Sequence, residues 1–153
     1  LDNWALESGY KDIFAQVAEL GEEGYKPRNF AWQSFLDPDG FKSRFEEADL
    51  IVAHAGMGTI ITALTMKKPL LIMPRKGAFK ETRNDHQIAT AEQFARRSGI
   101  FVAKDETELG TVLEDLLANP PSTIKEAASE FAEPELLQAI RSFIQDGQAA
   151  KSR

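Results

Sequence analysis

One of the two histidines in this chain of 153 residues stands where an apolar run gives way to glycines. The apolar residues 50–53 end at His54. Gly56, Gly58 and Thr59 follow before a helical pattern begins. Glycines let a backbone turn tightly and leave room for a ligand, and the free N–H groups in the first turn of a helix attract an anion. This segment can therefore hold a phosphate through backbone N–H groups, the Thr59 hydroxyl and His54.

The same residues also have a purely structural interpretation. Gly56 and Gly58 can simply make a turn, and Thr59 can cap the helix. His54 can be a polar residue that finds its hydrogen-bond partners within the fold. The spacing alone leaves both interpretations open. It does not support a dinucleotide fingerprint, because the full G-x-G-x-x-G pattern and its acidic residue are absent.

A second polar cluster, at residues 83–87, follows the next predicted strand and begins another helical pattern. Either Asn84 or Asp85 can be the N-cap of that helix, and His86 can be a solvated residue of its first turn. Capping does not explain why so many polar residues stand together. Ligands of open parallel sheets bind beyond the carboxyl ends of the strands. The two clusters therefore predict one shared pocket.

The elements that must position these residues alternate between short apolar strands and helices, which is typical of an α/β domain with a parallel sheet. Apolar runs predict strands at residues 12–17, 29–35, 50–53, 67–74 (bounded by Pro69 and Pro74) and 100–103. Helical spacing predicts helices at residues 1–8, 41–48, 60–64, 86–99, 106–121 and 136–144. We expect Gly9, Gly99 and the prolines at 120 and 121 to end three of them.

The strand at residues 50–53 is almost wholly apolar, as expected for a strand that is covered on both faces. We therefore predict a Rossmann-like parallel sheet with helices on both faces. No linker divides the chain, so we expect one domain over residues 1–153, with a flexible tail from about residue 146. Residues 37–40 are typical of a turn, and residues 75–85 form a basic loop.

Composition excludes several classes of function. The net charge of −6 argues against nucleic-acid binding through a broad basic surface. The chain has no cysteine, which excludes disulfides, thiolate catalysis and zinc–thiolate sites, and fits a cytoplasmic protein. No run approaches the roughly 20 apolar residues that span a bilayer, and no signal peptide opens the chain. Asp37 and Asp39 are explained by the turn, so we expect no metal site.

The segment ADLIVAHAGMGTIITALTMKKPLLIMPR (residues 48–75), followed by NDHQ (residues 84–87), resembles the C-terminal, donor-binding domain of glycosyltransferase family 28. This family has the GT-B architecture and includes the transferase that adds N-acetylglucosamine in peptidoglycan lipid synthesis. The chain resembles in particular small single-domain subunits of two-subunit enzymes. These act in eukaryotic dolichol-linked sugar synthesis and in bacterial capsule and exopolysaccharide synthesis. Such members usually begin with a strand and a glycine-containing loop, and we expect that strand, of about 5–6 residues, to be missing here.

The resemblance implies a donor site for a UDP-sugar. His54 and the turn at residues 56–59 match the segment that holds the pyrophosphate, while Asp85 and Gln87 lie in the motif that reaches the sugar hydroxyls. Thr62 is a departure, because many relatives have a carboxylate there that accepts from the ribose hydroxyls. Arg75 and Arg83 are candidates to neutralise phosphate, or else belong to a solvated basic loop. The predicted donor site comprises His54, Ala55, Gly56, Met57, Gly58, Thr59, Thr62, Arg75, Arg83, Asn84, Asp85, His86 and Gln87.

The resemblance also implies a function. We expect the donor-binding subunit of a hexosyltransferase that moves sugar from a UDP-sugar to a lipid-linked acceptor in polysaccharide synthesis. A membrane-associated partner would bind the acceptor and hold this chain at the cytoplasmic face of the membrane. No cofactor is expected, because helix N–H groups and arginines can stabilise the leaving diphosphate. No general base is evident in the chain. The alternative is a non-catalytic, nucleotide- or phosphate-binding regulatory module, and an epimerase of the same architecture is weaker because it needs a second domain.

Overall fold

A computed structural model of the protein describes residues 1–18, 24–79 and 85–121. Arg83, Asn84, the predicted helix at 136–144 and the tail lie outside the described residues, so those predictions and the single domain over 1–153 stay predictions. The elements, in chain order, are α1 (Asp2–Ser8), β1 (Phe14–Gln16), β2 (Ala31–Gln33), α2 (Pro38–Glu47), β3 (Ile51–His54), α3 (Met57–Thr65), β4 (Leu70–Met73), a 3-10 turn (Gly77–Phe79), α4 (His86–Phe94), β5 (Ile100–Val102) and α5 (Glu106–Ala118).

Every strand pair in the described part of the chain is parallel, and the predicted α/β, Rossmann-like architecture is confirmed. The strands form two sheets rather than the single sheet that we expected. One has the order β3-β4-β5, and the other pairs β1 with β2. Strand adjacency depends on contacts between distant segments, which the apolar pattern of one strand does not specify.

Helices pack against the central strand β4 on both faces of its sheet. Leu70, Leu71 and Ile72 have no exposed surface, and successive side chains of a strand point to opposite faces. Leu70 and Ile72 pack in one core cluster with Ile60 of α3 and with residues of α2 and α4. Leu71 packs in the other cluster with Leu109, Leu113 and Leu116 of α5. Burying an aliphatic side chain of this size contributes about 1.5–3 kcal/mol, so β4 anchors the sheet.

The residues predicted as a turn at 37–40 instead begin α2. The Asp37 carboxylate accepts a hydrogen bond from the Gly40 N–H at 2.7 Å, and Pro38 occupies the first helical position. Proline suits that position because the N–H it lacks would have no partner inside the helix. An aspartate and a proline in sequence are typical of both turns and helix starts, so the pattern alone did not separate them.

Helix α1 is bound to the rest of the fold through Asp2 at its N-terminal end. Gly9 ends it in the left-handed conformation, with a φ of 71°, as we predicted. The nearly buried Asp2 carboxylate accepts hydrogen bonds from the Tyr25 hydroxyl at 2.5 Å and from the backbone N–H groups of Arg28 and Asn29. The hydrogen bond from Tyr25 is the main cause that lowers the pKa of Asp2, because it favours the ionised carboxylate.

The strands are shorter than the apolar runs that predicted them, with one informative exception. Strand β3 extends through His54, which lies opposite Met73 of β4, whereas the prediction ended the strand at Ala53. The pattern changes from apolar to polar at His54, but backbone pairing does not depend on side-chain polarity. The histidine is therefore held by the sheet itself rather than by a loop.

Candidate functional site

The ring of His54 lies against Gly56. A Cβ atom built on Gly56 would overlap the His54 Cε1 atom, closer than real side chains approach, and would stand 3.0 Å from Nδ1. Gly56 is thus required by the histidine ring, as well as by the turn. This contact explains why the strand that ends in His54 is followed two residues later by a glycine.

The N-terminus of α3 begins directly under this ring and has no side-chain cap. Its N-cap residue is Gly56, with φ −92° and ψ 132°, and no side chain accepts a hydrogen bond from its first turn. Thr59 lies within the helix, so the interpretation of Thr59 as the cap is wrong. The first N–H groups of α3 therefore have no capping partner among the described residues, which is the arrangement that binds anions at helix termini.

Gly58 differs from Gly56 in its surroundings. Apart from its chain neighbours and the backbone of its own helix, no atom of the described residues lies within 4 Å of the position that a Cβ atom would take, so the space above Gly58 is open. It lies in the first turn of α3 and is exposed, as is its neighbour Met57. This open approach leads to the uncapped N–H groups, and it leaves a ligand room to come close to the backbone.

The Thr62 hydroxyl is hydrogen-bonded within α3. It donates to the carbonyl oxygen of Gly58 at 2.9 Å, one turn earlier. A hydroxyl has one donor and two acceptor lone pairs. Thr62 can therefore still accept a hydrogen bond from a ligand hydroxyl, which is the role of the carboxylate that the resemblance leads one to expect there.

The first turn of α4 holds the loop that follows β4. Gln87 is only 6% exposed, and its Oε1 accepts a hydrogen bond from the backbone N–H of Arg75 at 3.1 Å. Asp85 stands at the N-cap position but does not cap the helix, because its Oδ1 accepts from the Gly77 N–H at 2.8 Å. Two side chains of the predicted pocket thus bind backbone groups of the neighbouring loop.

The environment of the His54 ring determines its pKa and its hydrogen bonding. Burial lowers the pKa of its imidazole, the positive charge of Arg75 lowers it further, and a side-chain hydrogen bond with Gln87 acts in the opposite direction. The ring is therefore neutral at pH 7. Its Nδ1 atom is buried and has no hydrogen-bond partner in the described part of the chain. The structural interpretation of His54 as a fully hydrogen-bonded polar residue is accordingly wrong.

The structure brings together one part of the predicted site. His54 lies against Gly56, Gln87 binds the Arg75 backbone, and both the Arg75 charge and the Gln87 side chain affect the pKa of the His54 ring. Ala55 is 2% exposed and packs in the core, so only its backbone faces the site. The predicted residues that lie in exposed positions are Met57, Gly58, Arg75, Asp85 and His86.

One charged residue of the site was not singled out from the sequence. Lys76 lies between Arg75 and Gly77, whose N–H groups donate to side chains at the start of α4. Its Nζ forms an ion pair with Asp105 at 3.7 Å. Its position in the predicted basic loop was the available signal. The partner on the loop before α5 could be found only from the fold.

Within residues 1–18, 24–79 and 85–121, no three or more His, Cys, Asp or Glu side chains are grouped so that they could hold a metal ion. In the same ranges no helix is both long and apolar enough to cross a membrane.

Residues 6–143 match the family described as the glycosyltransferase family 28 C-terminal domain. The chain belongs to this family. The resemblance inferred from residues 48–75 and 84–87 is thereby confirmed, and the match extends it over most of the chain. No solved structure matches the chain significantly.

Two kinds of relative illustrate the range of the family. The chain is 32% identical over 102 residues to the "UDP-N-acetylglucosamine transferase subunit ALG13" of Mus musculus, which covers 63% of this chain and 8% of that protein. It is 29% identical over 140 residues to the "UDP-N-acetylglucosamine--N-acetylmuramyl-(pentapeptide) pyrophosphoryl-undecaprenol N-acetylglucosamine transferase" of Geobacter sulfurreducens, which covers 88% of this chain and 36% of that protein. The chain thus spans well under half the length of these two relatives.

Proposed function

We propose that this chain is the donor-binding part of a glycosyltransferase that moves a hexose from a UDP-sugar to a lipid-linked acceptor. The observation that carries the proposal is the unpartnered, buried Nδ1 of His54 beside the uncapped N-terminus of α3. Arg75 lies close enough to lower the pKa of the histidine through its charge. Backbone N–H groups, a neutral imidazole and a guanidinium in one place suit the diphosphate of a nucleotide sugar.

The chemistry asked of this site is positioning and charge stabilisation. When the bond between the sugar and the diphosphate breaks, negative charge grows on the leaving phosphate oxygen. The first N–H groups of α3 and the Arg75 guanidinium stabilise that charge from fixed positions. A neutral His54 can donate a hydrogen bond to a phosphate oxygen, and a bound phosphate would in turn raise the pKa of the ring.

The relatives suggest the donor and the kind of acceptor. The names of both relatives specify transfer of N-acetylglucosamine, so UDP-N-acetylglucosamine is the first donor to test. The name of the bacterial relative includes a pyrophosphoryl-undecaprenol acceptor, and that of the mouse relative describes a subunit. We accordingly propose a membrane-associated partner that binds a lipid-linked acceptor in polysaccharide synthesis and holds the chain at the cytoplasmic face of the membrane. Neither a metal nor a cofactor is part of the proposal.

Titration calorimetry with UDP-N-acetylglucosamine and other UDP-hexoses, with and without the partner, tests the donor site. We expect binding by the unchanged protein and weaker binding by Arg75→Gln, because the variant loses a charge beside the diphosphate. Arg97→Gln is the matched control, since Arg97 is exposed and precedes β5 at the opposite end of the strands. If no UDP-sugar binds under either condition, the donor site is wrong.

The alternative is a nucleotide- or phosphate-binding module without catalytic activity. It is favoured by the uncapped N-terminus of α3, which suits any phosphate group. Sugar transfer by the protein reconstituted with its partner separates the two functions. Loss of transfer in His54→Ala, with folding retained, supports the transferase, whereas unchanged transfer supports the module.

A further inference from the structure

The small sheet of β1 and β2 is attached to the rest of the fold differently from the three-stranded sheet. No residue of β1 or β2 is buried, whereas β4 has three residues without exposed surface. Among the described residues, neither hydrophobic core cluster includes a residue of these two strands. Since hydrophobic stabilisation grows with the apolar area removed from water, the β1–β2 sheet depends on polar contacts to stay in place.

One such contact is made by the carboxylate of Asp2, the first residue of α1. It is 7% exposed and accepts hydrogen bonds from the Tyr25 hydroxyl at 2.5 Å and from the Asn29 N–H at 2.9 Å. The Arg28 N–H also donates to it, and the Asn29 side-chain amide donates to the backbone carbonyl oxygen of Asp2 at 3.1 Å. Hydrogen bonds to an ionised carboxylate are about twice as strong as those between neutral groups. Asp2 therefore binds the loop at residues 25–29 firmly.

This loop in turn holds β2. Trp32, the middle residue of β2, donates from its indole N–H to the carbonyl oxygen of Pro27 at 3.1 Å. Asn29, which binds Asp2 through two groups, stands two residues before the strand begins at Ala31. The position of β2 therefore follows from the contact between Asp2 and the loop.

Helix α1 is itself held by the other part of the fold. The Trp4 indole N–H donates to the Glu114 carboxylate at 3.3 Å, and Trp4 packs against the core cluster of β4 and α5. A Cβ atom on Gly110 of α5 would stand 3.1 Å from the Trp4 Cδ1 atom. Asp2 is thus the point at which a helix fixed to the three-stranded sheet holds the β1–β2 sheet.

A second contact, from α2, is weaker. The Arg44 guanidinium carbon lies 4.3 Å from the centroid of the Phe14 ring in β1, while Phe45 of the same helix packs in the core of the three-stranded sheet. Arg44 is exposed and also pairs with Glu47 at 3.9 Å. Cation–π contacts are weakest at exposed sites. This contact can tether β1 to α2, but it does not replace the hydrogen bonds of Asp2.

We propose that Asp2 is a latch. While the loop at residues 25–29 binds its carboxylate, the β1–β2 sheet is closed against α1. When the latch is broken, this sheet opens and the three-stranded sheet stays folded, because the core clusters lie in the latter. The proposal rests on the contacts of α1 and α2 and is independent of the proposed donor site.

Amide hydrogen exchange of the whole chain, followed by NMR under native conditions, tests the latch through two matched reporters. In the β1–β2 sheet, the Val17 N–H donates to the carbonyl oxygen of Gln33 at 2.9 Å. In the three-stranded sheet, the Ala103 N–H donates to the carbonyl oxygen of Ile72 at 3.0 Å. Both reporters directly follow a strand and bind its neighbour, so their exchange rates report the opening of one sheet each.

Asp2→Asn should open the β1–β2 sheet selectively. The amide has the size of the carboxylate but only one acceptor oxygen, and its NH₂ group faces backbone donors. We expect the Val17 amide to exchange about tenfold faster, which corresponds to about 1.4 kcal/mol, and the Ala103 amide to exchange at an unchanged rate.

Glu7→Gln is the matched control, because it removes the same charge at an exposed position of α1 and should change neither reporter. Tyr25→Phe deletes one hydrogen bond of the latch and should accelerate Val17 less than Asp2→Asn does. In the double variant the acceleration should be smaller than the product of the two single effects, since both residues belong to one contact.

Equal acceleration of Val17 and Ala103 in Asp2→Asn would show that the two sheets open together and would overturn the proposal. Unchanged exchange of Val17 would do the same, and so would a variant that no longer folds at all. Tyr25→Phe provides the milder test on a folded chain, and there too the acceleration must occur at Val17 alone.

Discussion

Helices α3 and α5 both follow a parallel strand of the same sheet, yet their N-termini are built differently. Before α5, the Asp105 carboxylate accepts hydrogen bonds from the N–H groups of Thr107 and Glu108. Before α3, the corresponding position is Gly56, and no side chain caps the helix. A capping side chain stabilises a helix by about 0.5–2 kcal/mol relative to alanine but by only a few tenths of a kcal/mol relative to glycine, so α3 loses little stability by lacking one. The difference indicates which helix start serves the fold and which is open to a ligand.

The largest effect should come from Gly56→Ala. The new Cβ atom would overlap the His54 ring, so the half-buried ring must move away from the start of α3. We expect a loss of about 1–3 kcal/mol in the free energy of unfolding, as for other overpacked sites, together with loss of UDP binding. Urea unfolding and calorimetry measure the two effects.

The double variant His54→Ala/Gly56→Ala identifies the cause of that loss. If the overlap with the ring is responsible, adding Gly56→Ala to His54→Ala should cost almost nothing in stability. An equal cost in both backgrounds would show that Gly56 is needed for the turn alone.

Gly58→Ala should separate binding from stability. The Cβ atom meets no described atom beyond its chain neighbours and its own helix backbone, and alanine in a helix is more stable than glycine by about 0.5–1 kcal/mol. The methyl group would stand in the open approach to the first turn of α3, so we expect the protein to become more stable while UDP binds about tenfold more weakly. Equal or tighter binding by a stabilised Gly58→Ala variant would mean that no ligand comes close to this backbone.

Asp105→Ala, at the start of α5, should show the reverse of Gly58→Ala: lower stability with little effect on binding. Loss of the cap leaves the first N–H groups of α5 without their partner, and the variant also loses the ion pair with Lys76. We expect a lower urea midpoint and little change in UDP binding. A loss of binding as large as that of Gly58→Ala would contradict the division between the two helix starts.

The smallest effect should be the pH dependence that His54 contributes. Its pKa in the folded protein lies below the ordinary value of 6.5, mainly because of burial. As the pH falls through 6.5, the unfolded chain binds a proton at this residue before the folded protein does. Stability therefore falls with pH until the folded pKa is reached, and the full contribution is present above pH 6.5.

Urea unfolding at a series of pH values between about 5 and 7.5 measures this loss. His54→Gln should reduce the slope of the free energy of unfolding against pH. His86→Gln, which changes the other histidine, is the control. A slope that persists undiminished in His54→Gln would assign the pH dependence to other groups.

Much of the fold could be predicted from local patterns because those patterns report burial. The prediction that residues 50–53 are covered on both faces is wrong, because Val52 of β3 is 37% exposed, whereas the apolar run Leu70, Leu71 and Ile72 of β4 is fully buried. Leu109, Leu113 and Leu116 lie at helical spacing and do face the sheet. The start of α2 was predicted wrongly because Asp37 and Pro38 have the same local preference for a turn and for a helix start.

The sequence predicted at which edge of the sheet the candidate site lies, but not how its side chains contact one another. Polar residues after two strands indicated which edge of the sheet to examine, and parallel topology placed them near one another. The sequence did not show that Gln87 would be buried, since the amide binds the Arg75 backbone from 12 residues away. Which atoms of Asp85 and Gln87 remain available to a ligand depends on such contacts.

The sequence alone determined that β3 would be followed by His54 and two glycines, because the order of residues and their backbone preferences are local properties. It also determined the family, since the match over residues 6–143 depends on the order of residues alone. The tertiary structure decided that the two glycines differ. Gly56 makes room for the histidine ring, and Gly58 leaves room for a ligand. The reason is steric: what a glycine makes room for depends on the atoms that the fold places around it.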